Sequence, residues 1–419
     1  MQLSPFSRMR PPSSLDRAEQ TPRRDESLLR KLAGGAFVAG SGLAALTSAP
    51  AQAQVQIQQP QPGTLYLSDF FESNGPGDIP HGEIVYRSAR QLGFEGEVVR
   101  SEVPENPLTR KSRRLDSHLD QRQFSPEEMR QFLSDYSMQC VAGQTQSATQ
   151  DLRKFLDEGA HHSAINLSRG CSPAQAAEAI YARISPAFSA GDPVASGLAG
   201  RRLAKIAPGL DSKVEELTSS DPAVRGPARL HLQQKLVDLV DEAVRTHPTV
   251  HQAQDDYESV VAQLAERKVS VVVAAANSGE VLDHFAADAD GARVQVSPDF
   301  WRNRLASDSV VTVGATRMRD GQRQVTEYTN YDSGIDFYAD GDAYVDHDHP
   351  EKLVNYGTSF AAPRLGAVLA DTHEKQPDWT NAQVEAFVAD QLAARQLDLK
   401  GHSPASALDS ARAGQYLKK

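Results

Sequence analysis

Residues 271–276, VVVAAA, sit inside the stretch VSVVVAAANSG (269–279) as a continuous apolar run ending at an asparagine. A run this rich in valine, with no polar alternation, reads as a strand buried on both faces, the condition of a parallel sheet covered by helices. Three further stretches suit the same sheet. SVVTVGAT (309–316) is rich in valine, SAINLSRG (163–170) reads as a buried strand ending in a turn, and TLYLSDF (64–70) alternates and then stops at an acid. Another strand is expected near GIDFYA (334–339). Between them lie helical stretches. The expected fold is α/β with three layers, a mostly parallel central sheet flanked by helices.

The helices carry start signals. PHGEIVYRSARQLGF (80–94) has Pro80 suited to a first turn and Ile84, Val85 and Ala89 on one face. Ser125-Pro126-Glu127-Glu128 is a capping box opening a helix through about residue 139, and a second helix spans roughly 147–158. Residues 172–250 contain no strand-like run and read as a helical insertion, whose first helix is capped by Ser172 and Gln175. A helix over 255–268 leads into the valine strand, and Thr380 and Gln383 cap a late helix. Residues 100–124, with the basic run RKSRR at 110–114, read as a solvated loop.

The N-terminus has a different character. Residues 1–31 are polar and end in LLRK, residues 32–46 are uncharged and apolar, and Ala51-Gln52-Ala53 matches an A-x-A cleavage site. That is the layout of a signal peptide with a long first region, and its apolar stretch is too short and glycine-rich for a membrane anchor. A Gln/Pro linker follows at 54–63, and the folded unit is expected over 64–419. The net charge of −11 argues against nucleic acid or anionic membrane as the partner. The two cysteines, Cys140 and Cys171, have no zinc-site spacing; they read either as two buried thiols or as one disulfide in an exported chain.

NYGTSFAAP, residues 355–363, places one serine among small residues just before an apolar run at 365–370. This reads as a tight turn feeding a buried helix, with Ser359 at the helix start. A hydroxyl there is either a cap or a nucleophile.

GTSFAAP matches the nucleophile motif G-T-S-x-A-x-P of the subtilases, which the chain resembles over roughly residues 64–415, apart from the helical insertion. VVVAAANSG resembles that family's oxyanion-asparagine segment, INLSRG its substrate-binding strand, VVTVGAT its following strand, PDWTNAQV its late helix start, and SDF and HGEIV its aspartate and histidine segments. The resemblance implies a subtilisin-like fold with Asp69, His81 and Ser359 as a catalytic triad. It also implies Asn277 as an oxyanion donor and Leu167, Ser168, Arg169 and Gly170 as the substrate-binding strand. Serine needs a neutral imidazole to take its proton, and the imidazole needs a carboxylate to fix its tautomer. Asp78, three residues before His81, is the alternative carboxylate. The chain departs from the family in several places: Phe70-Phe71 after the aspartate, Glu83-Ile84 after His81-Gly82, Ala276 where glycine is common, and His81 only 12 positions after Asp69.

These observations point to a secreted or periplasmic, monomeric serine endopeptidase acting on protein or peptide substrates. It would carry no cofactor, no nucleic acid and no stable membrane anchor. Two other readings stay open: a protease-like effector or binding protein that uses the fold to hold a partner, and an esterase using the same triad. DGDAYVDHDH (340–349) clusters four Asp and two His and reads as a solvated acidic loop, with structural calcium as the alternative. Arg169 is expected to face an acidic substrate side chain. His161 and His162 read as loop residues.

Overall fold

The computed structural model describes residues 63–72, 79–91, 93–103, 125–184, 214–279, 294–319, 322–330, 334–344 and 352–393. The leader expected over 1–53, the linker expected over 54–63 except Gly63, the basic run at 110–114, Asp78, the middle of the helical insertion and residues 345–351 of the acidic stretch lie outside them.

The expected mixed architecture is present. Strands β1 (Thr64–Asp69), β2 (Glu97–Glu102), β3 (Ser163–Leu167), β4 (Val269–Ala274), β5 (Val311–Arg319), β6 (Gln322–Val325) and β7 (Phe337–Asp340) form one sheet. Its order is β2-β1-β3-β4-β5, all parallel, with β7 parallel and β6 antiparallel to β5. β8 (Asp342–Ala343) and β9 (Asn355–Tyr356) form a small separate ladder. Among the described residues the helices are α1 (His81–Arg90), α2 (Pro126–Asp157), α3 (Pro173–Ile184), the single turn α4 (Val214–Leu217), α5 (Pro222–Thr246), α6 (Pro248–Glu266), α7 (Thr358–Lys375) and α8 (Asn381–Ala393).

The valine strands explain the layers. Successive residues of a strand point to opposite faces. On β4, Val272 and Ala274 join Leu65, Leu67, Ala164 and Val313 in one core with α1 and α7. Val269, Val271 and Val273 join Ile165, Leu167, Leu152, Phe155, Tyr257 and Val261 in the opposite core with α2 and α6. A third cluster has the first half of α2 packed against α3, α4 and α5, with Phe300 and Trp301.

Two expectations fail. Residues 125–158 were expected as two helices but form one, α2. Gly143 does not break it because burial runs straight through: Phe132, Leu133 and Val141 pack among the helices, and Ala148, Leu152 and Phe155 pack on the sheet. Thr145 and Thr149 return their hydroxyls to carbonyls four residues back. Residues 100–102, expected to open a loop, instead end a strand over 97–102, EVVRSE. β2 pairs only with β1, so its side chains carry charge and give no apolar signal.

The chain runs from β1 to β2 on one side and returns to β3 on the other. The strand order therefore reverses between β1 and β3, the place at the C-terminal edge of an open parallel sheet where a binding crevice is expected. Asp69 ends β1, Ser168 follows β3, and Asn277 lies three residues past β4, all at that edge.

His373 of α7 lies fully buried at the opposite edge, 3.0 Å from Ser270 Oγ. Burial first, then the neighbouring charges of His162 and Lys268, pull its pKa down to about 4. The unfolded chain takes up this proton below about pH 6.5, whereas the folded chain resists until about 4. The stabilisation is therefore complete above pH 6.5 and is lost as pH falls toward 4. Urea unfolding of wild type and His373→Gln at pH 7 and 4.5 checks this: wild type should lose about 2–3 kcal/mol more than the variant. Equal losses would contradict it.

Candidate active site

β1 carries Asp69 to the crevice with its carboxylate 2% exposed. Asp69 Oδ1 accepts from His81 Nδ1 at 2.8 Å and from the Phe70 backbone N–H at 2.7 Å. The imidazole is 35% exposed, so a substrate can reach the ring while the carboxylate beneath it stays dry. Burial disfavours the charged ring, yet the Asp69 charge and hydrogen bond outweigh it and hold the His81 pKa above its ordinary value.

His81 opens α1 directly after Pro80. Its neighbour Gly82 donates its N–H to the Phe70 carbonyl at 2.8 Å. A Cβ on Gly82 would stand 2.8 Å from that oxygen and 2.9 Å from the Phe71 ring, so only glycine lets α1 approach β1 this closely. Glu83, in the same turn, is paired with Arg87 at 2.8 Å and Arg100 at 2.9 Å.

Ser359 is the second residue of α7, in the turn whose backbone N–H groups lack helical partners. Phe360, next to it, lies 5.3 Å from the His81 ring between centroids, so the starts of α1 and α7 share one corner. The Ser359 hydroxyl donates to the Ser168 carbonyl at 3.1 Å, and the Ser168 hydroxyl donates to the Ser359 carbonyl at 2.6 Å. Asn166 Nδ2 in turn donates to Ser168 Oγ at 2.8 Å. The structure thus joins Asp69 to His81, and Ser359 to Ser168. No hydrogen bond links the His81 and Ser359 side chains in this rotamer.

Asn277 reaches α7 from the β4 side. Its Oδ1 accepts from the Thr358 N–H and the Thr358 hydroxyl, both at 2.9 Å. Because a backbone N–H can only donate, these bonds fix the amide and leave Nδ2 as a donor without a partner among the described residues. Gly357 has φ +158°, and a Cβ there would stand 3.0 Å from Asn277 Nδ2. Ala276, before the asparagine, has φ +82°, a conformation that costs a residue with a Cβ about 1–2 kcal/mol. This accounts for the family's glycine at that place.

Arg169 corrects an expectation. Its side chain is 6% exposed and turned inward, with Nη2 2.7 Å from Asp151 Oδ2 on α2 and Nη1 2.9 Å from Ser147 Oγ. It does not face a substrate side chain. Asn303, which sequence reasoning missed, ties the strand ends together: its Nδ2 donates to the Ala274 carbonyl at 2.7 Å and the Arg169 carbonyl at 3.3 Å. Nothing in the surrounding WRNRL marks it in advance. Of the acidic stretch, Asp340 and Asp342 sit against Arg364 and Arg317. No group of three His, Cys, Asp or Glu that could hold a metal occurs among the described residues. Cys140 and Cys171 are not joined in a disulfide.

The model of the subtilase family matches residues 232–405, which include Asn277 and Ser359 but not Asp69 or His81. No curated protein matches the chain. Among solved structures, the chain is similar to the S41 psychrophilic protease at 12% identity and TM-score 0.33, covering 78% of this chain and 81% of that one. It is similar to sphericase at 13% identity and TM-score 0.33, covering 83% and 88%. It is similar to the MycP3 protease from the type VII (ESX-3) secretion system at 16% identity and TM-score 0.28, covering 79% and 76%. The match to the subtilase family lies within residues 232–405 and supports a subtilisin-like serine peptidase.

Proposed function

We propose that the chain is an exported serine endopeptidase in which Ser359 attacks the peptide carbonyl, His81 takes and returns the proton, and Asp69 holds His81. The observation that carries this reading is the 2.8 Å bond from His81 to a buried carboxylate at the sheet edge where Ser359 begins α7. Asp69 accepts from Nδ1, which leaves Nε2 as the basic nitrogen for the serine proton. Turning the Ser359 hydroxyl from the Ser168 carbonyl toward that nitrogen readies the nucleophile. It also frees the Ser168 carbonyl to accept from a substrate N–H, so an extended peptide lies along Leu167 to Gly170. The oxyanion is met by Asn277 Nδ2 and the Ser359 N–H, both aimed before reaction. The start of α7 adds positive potential there.

Export rests on the apolar stretch at 32–46 and the Ala51-Gln52-Ala53 site, with a mature chain beginning at Gln54. N-terminal sequencing of extracellular or periplasmic protein tests it; a chain still starting at Met1 would reject it.

One observation favours a non-proteolytic binding role: the Ser359 hydroxyl is held by Ser168 rather than by His81. Peptide turnover separates the two readings. Wild type should hydrolyse unfolded protein substrates and Ser359→Ala should not; equal activity in both would remove Ser359 from the chemistry. Asn277→Ala should lower turnover by on the order of 10²–10³ with little change in KM, as for the oxyanion asparagine of a subtilisin.

His81 has to be neutral to act as a base. With its pKa held up by Asp69, kcat/KM should fall as pH drops through a value above 6.5. Asp69→Asn removes the charge that raises it. The acid limb should then move to lower pH while turnover drops by about 10⁴. An acid limb that stays put in this variant would show that another carboxylate faces His81.

A further inference from the structure

The Ser359 corner and the Asp69 corner are connected beneath the crevice by a buried chain of polar contacts. Asp151 projects from α2 with its side chain 3% exposed. Its Oδ2 accepts from the Ser68 hydroxyl, on the residue before Asp69, and from Arg169 Nη2, on the residue after Ser168. Ser68 pairs with Leu167 in the β1–β3 ladder, so this one carboxylate bridges the ends of both strands. At one end of the bridge Asp69 holds His81; at the other, Ser168 and Ser359 exchange hydrogen bonds.

We propose that Asp151 and Arg169 are positioning residues of the peptidase, their buried ion pair fixing the separation between the triad carboxylate at the end of β1 and the nucleophile tethered to the end of β3. The inference rests on the triad reading of Asp69, His81 and Ser359.

Stability alone is a poor reason for such a pair. Desolvating two charges costs about as much as their attraction returns, and apolar residues of similar volume serve a core as well or better. What an ion pair supplies is direction, because each hydrogen bond accepts only a narrow range of positions. Here that direction is spent on the two strand ends that carry the reacting groups. Arg169 also feels Asp69: burial lowers its pKa, and the charges of Asp151 and then Asp69 raise it back. Removing Arg169 therefore leaves the buried Asp151 carboxylate without its cationic partner, and removing Asp151 leaves a buried guanidinium with only part of its compensation.

The test is the second-order rate constant for labelling by a fluorophosphonate, measured on the purified full-length chain alongside melting temperature and kcat and KM for a peptide. Asp151→Asn and Arg169→Met should each label about 10–100-fold more slowly than wild type, the cost of a small misplacement of reacting groups, with kcat reduced and KM little changed. Both should melt lower, since each leaves a lone buried charge. The double variant Asp151→Asn/Arg169→Met leaves no lone charge, so its melting temperature should recover toward wild type while labelling stays slow. Ser68→Ala keeps the ion pair and cuts only the tie to β1. It should slow labelling while lowering the melting temperature only by the loss of one hydrogen bond, and it carries the test with the double variant if the single variants do not fold. Labelling that recovers together with melting temperature in the double variant, or a wild-type rate in Ser68→Ala, overturns the inference and leaves the pair a packing feature. A wild-type chain that does not label at all overturns the triad reading, and the inference with it.

Discussion

A buried carboxylate at the end of a strand costs free energy unless partners within the protein meet it. Asp69 is buried in this way; much of the site follows from how its Oδ1 is met, while its Oδ2 has no hydrogen-bond partner among the described residues. Its Oδ1 takes the Phe70 N–H and the His81 ring nitrogen. That draws the start of α1 against the end of β1, an approach only Gly82 permits. The imidazole then lies beside Phe360 at the start of α7. The fold's contribution is to bring two helix starts to one crevice between β1 and β3, where the strand order reverses.

The core of this arrangement was legible in the sequence because burial on both faces leaves a plain signature. The runs at 163–167, 269–274 and 311–316 are mostly apolar and buried along their whole length, and each lies in the sheet. The capping boxes at Ser125, Ser172 and Thr380 are also formed as read, each with reciprocal side-chain and backbone bonds. What could not be read was structure stabilised by tertiary contact against local preference. β2 is a charged edge strand held by β1, and α2 runs through Gly143 because two separate cores bury it on either side.

The site was legible in parts, for different reasons. Ser359 and Asn277 stand in motifs whose small residues are required by close approach. Gly357 has no room for a Cβ beside the Asn277 amide, and the family's glycine at 276 answers a positive φ that Ala276 here adopts at some cost. Arg169 misled because position along a strand does not reveal where a long side chain turns. Asp151 and Asn303 could not be found in advance. Each acts across elements far apart in sequence, Asp151 on Ser68 and Arg169, Asn303 on Ala274 and Arg169. No local pattern records such a partner.

The central claim is that Ser359 is the nucleophile and that His81 makes it one. The most direct measurement is peptide mass spectrometry of the chain after reaction with a fluorophosphonate, on wild type and on His81→Ala. The account predicts a single adduct on Ser359 in wild type and none in His81→Ala over the same time. An adduct on another serine, or a Ser359 adduct that forms equally fast without His81, would contradict it.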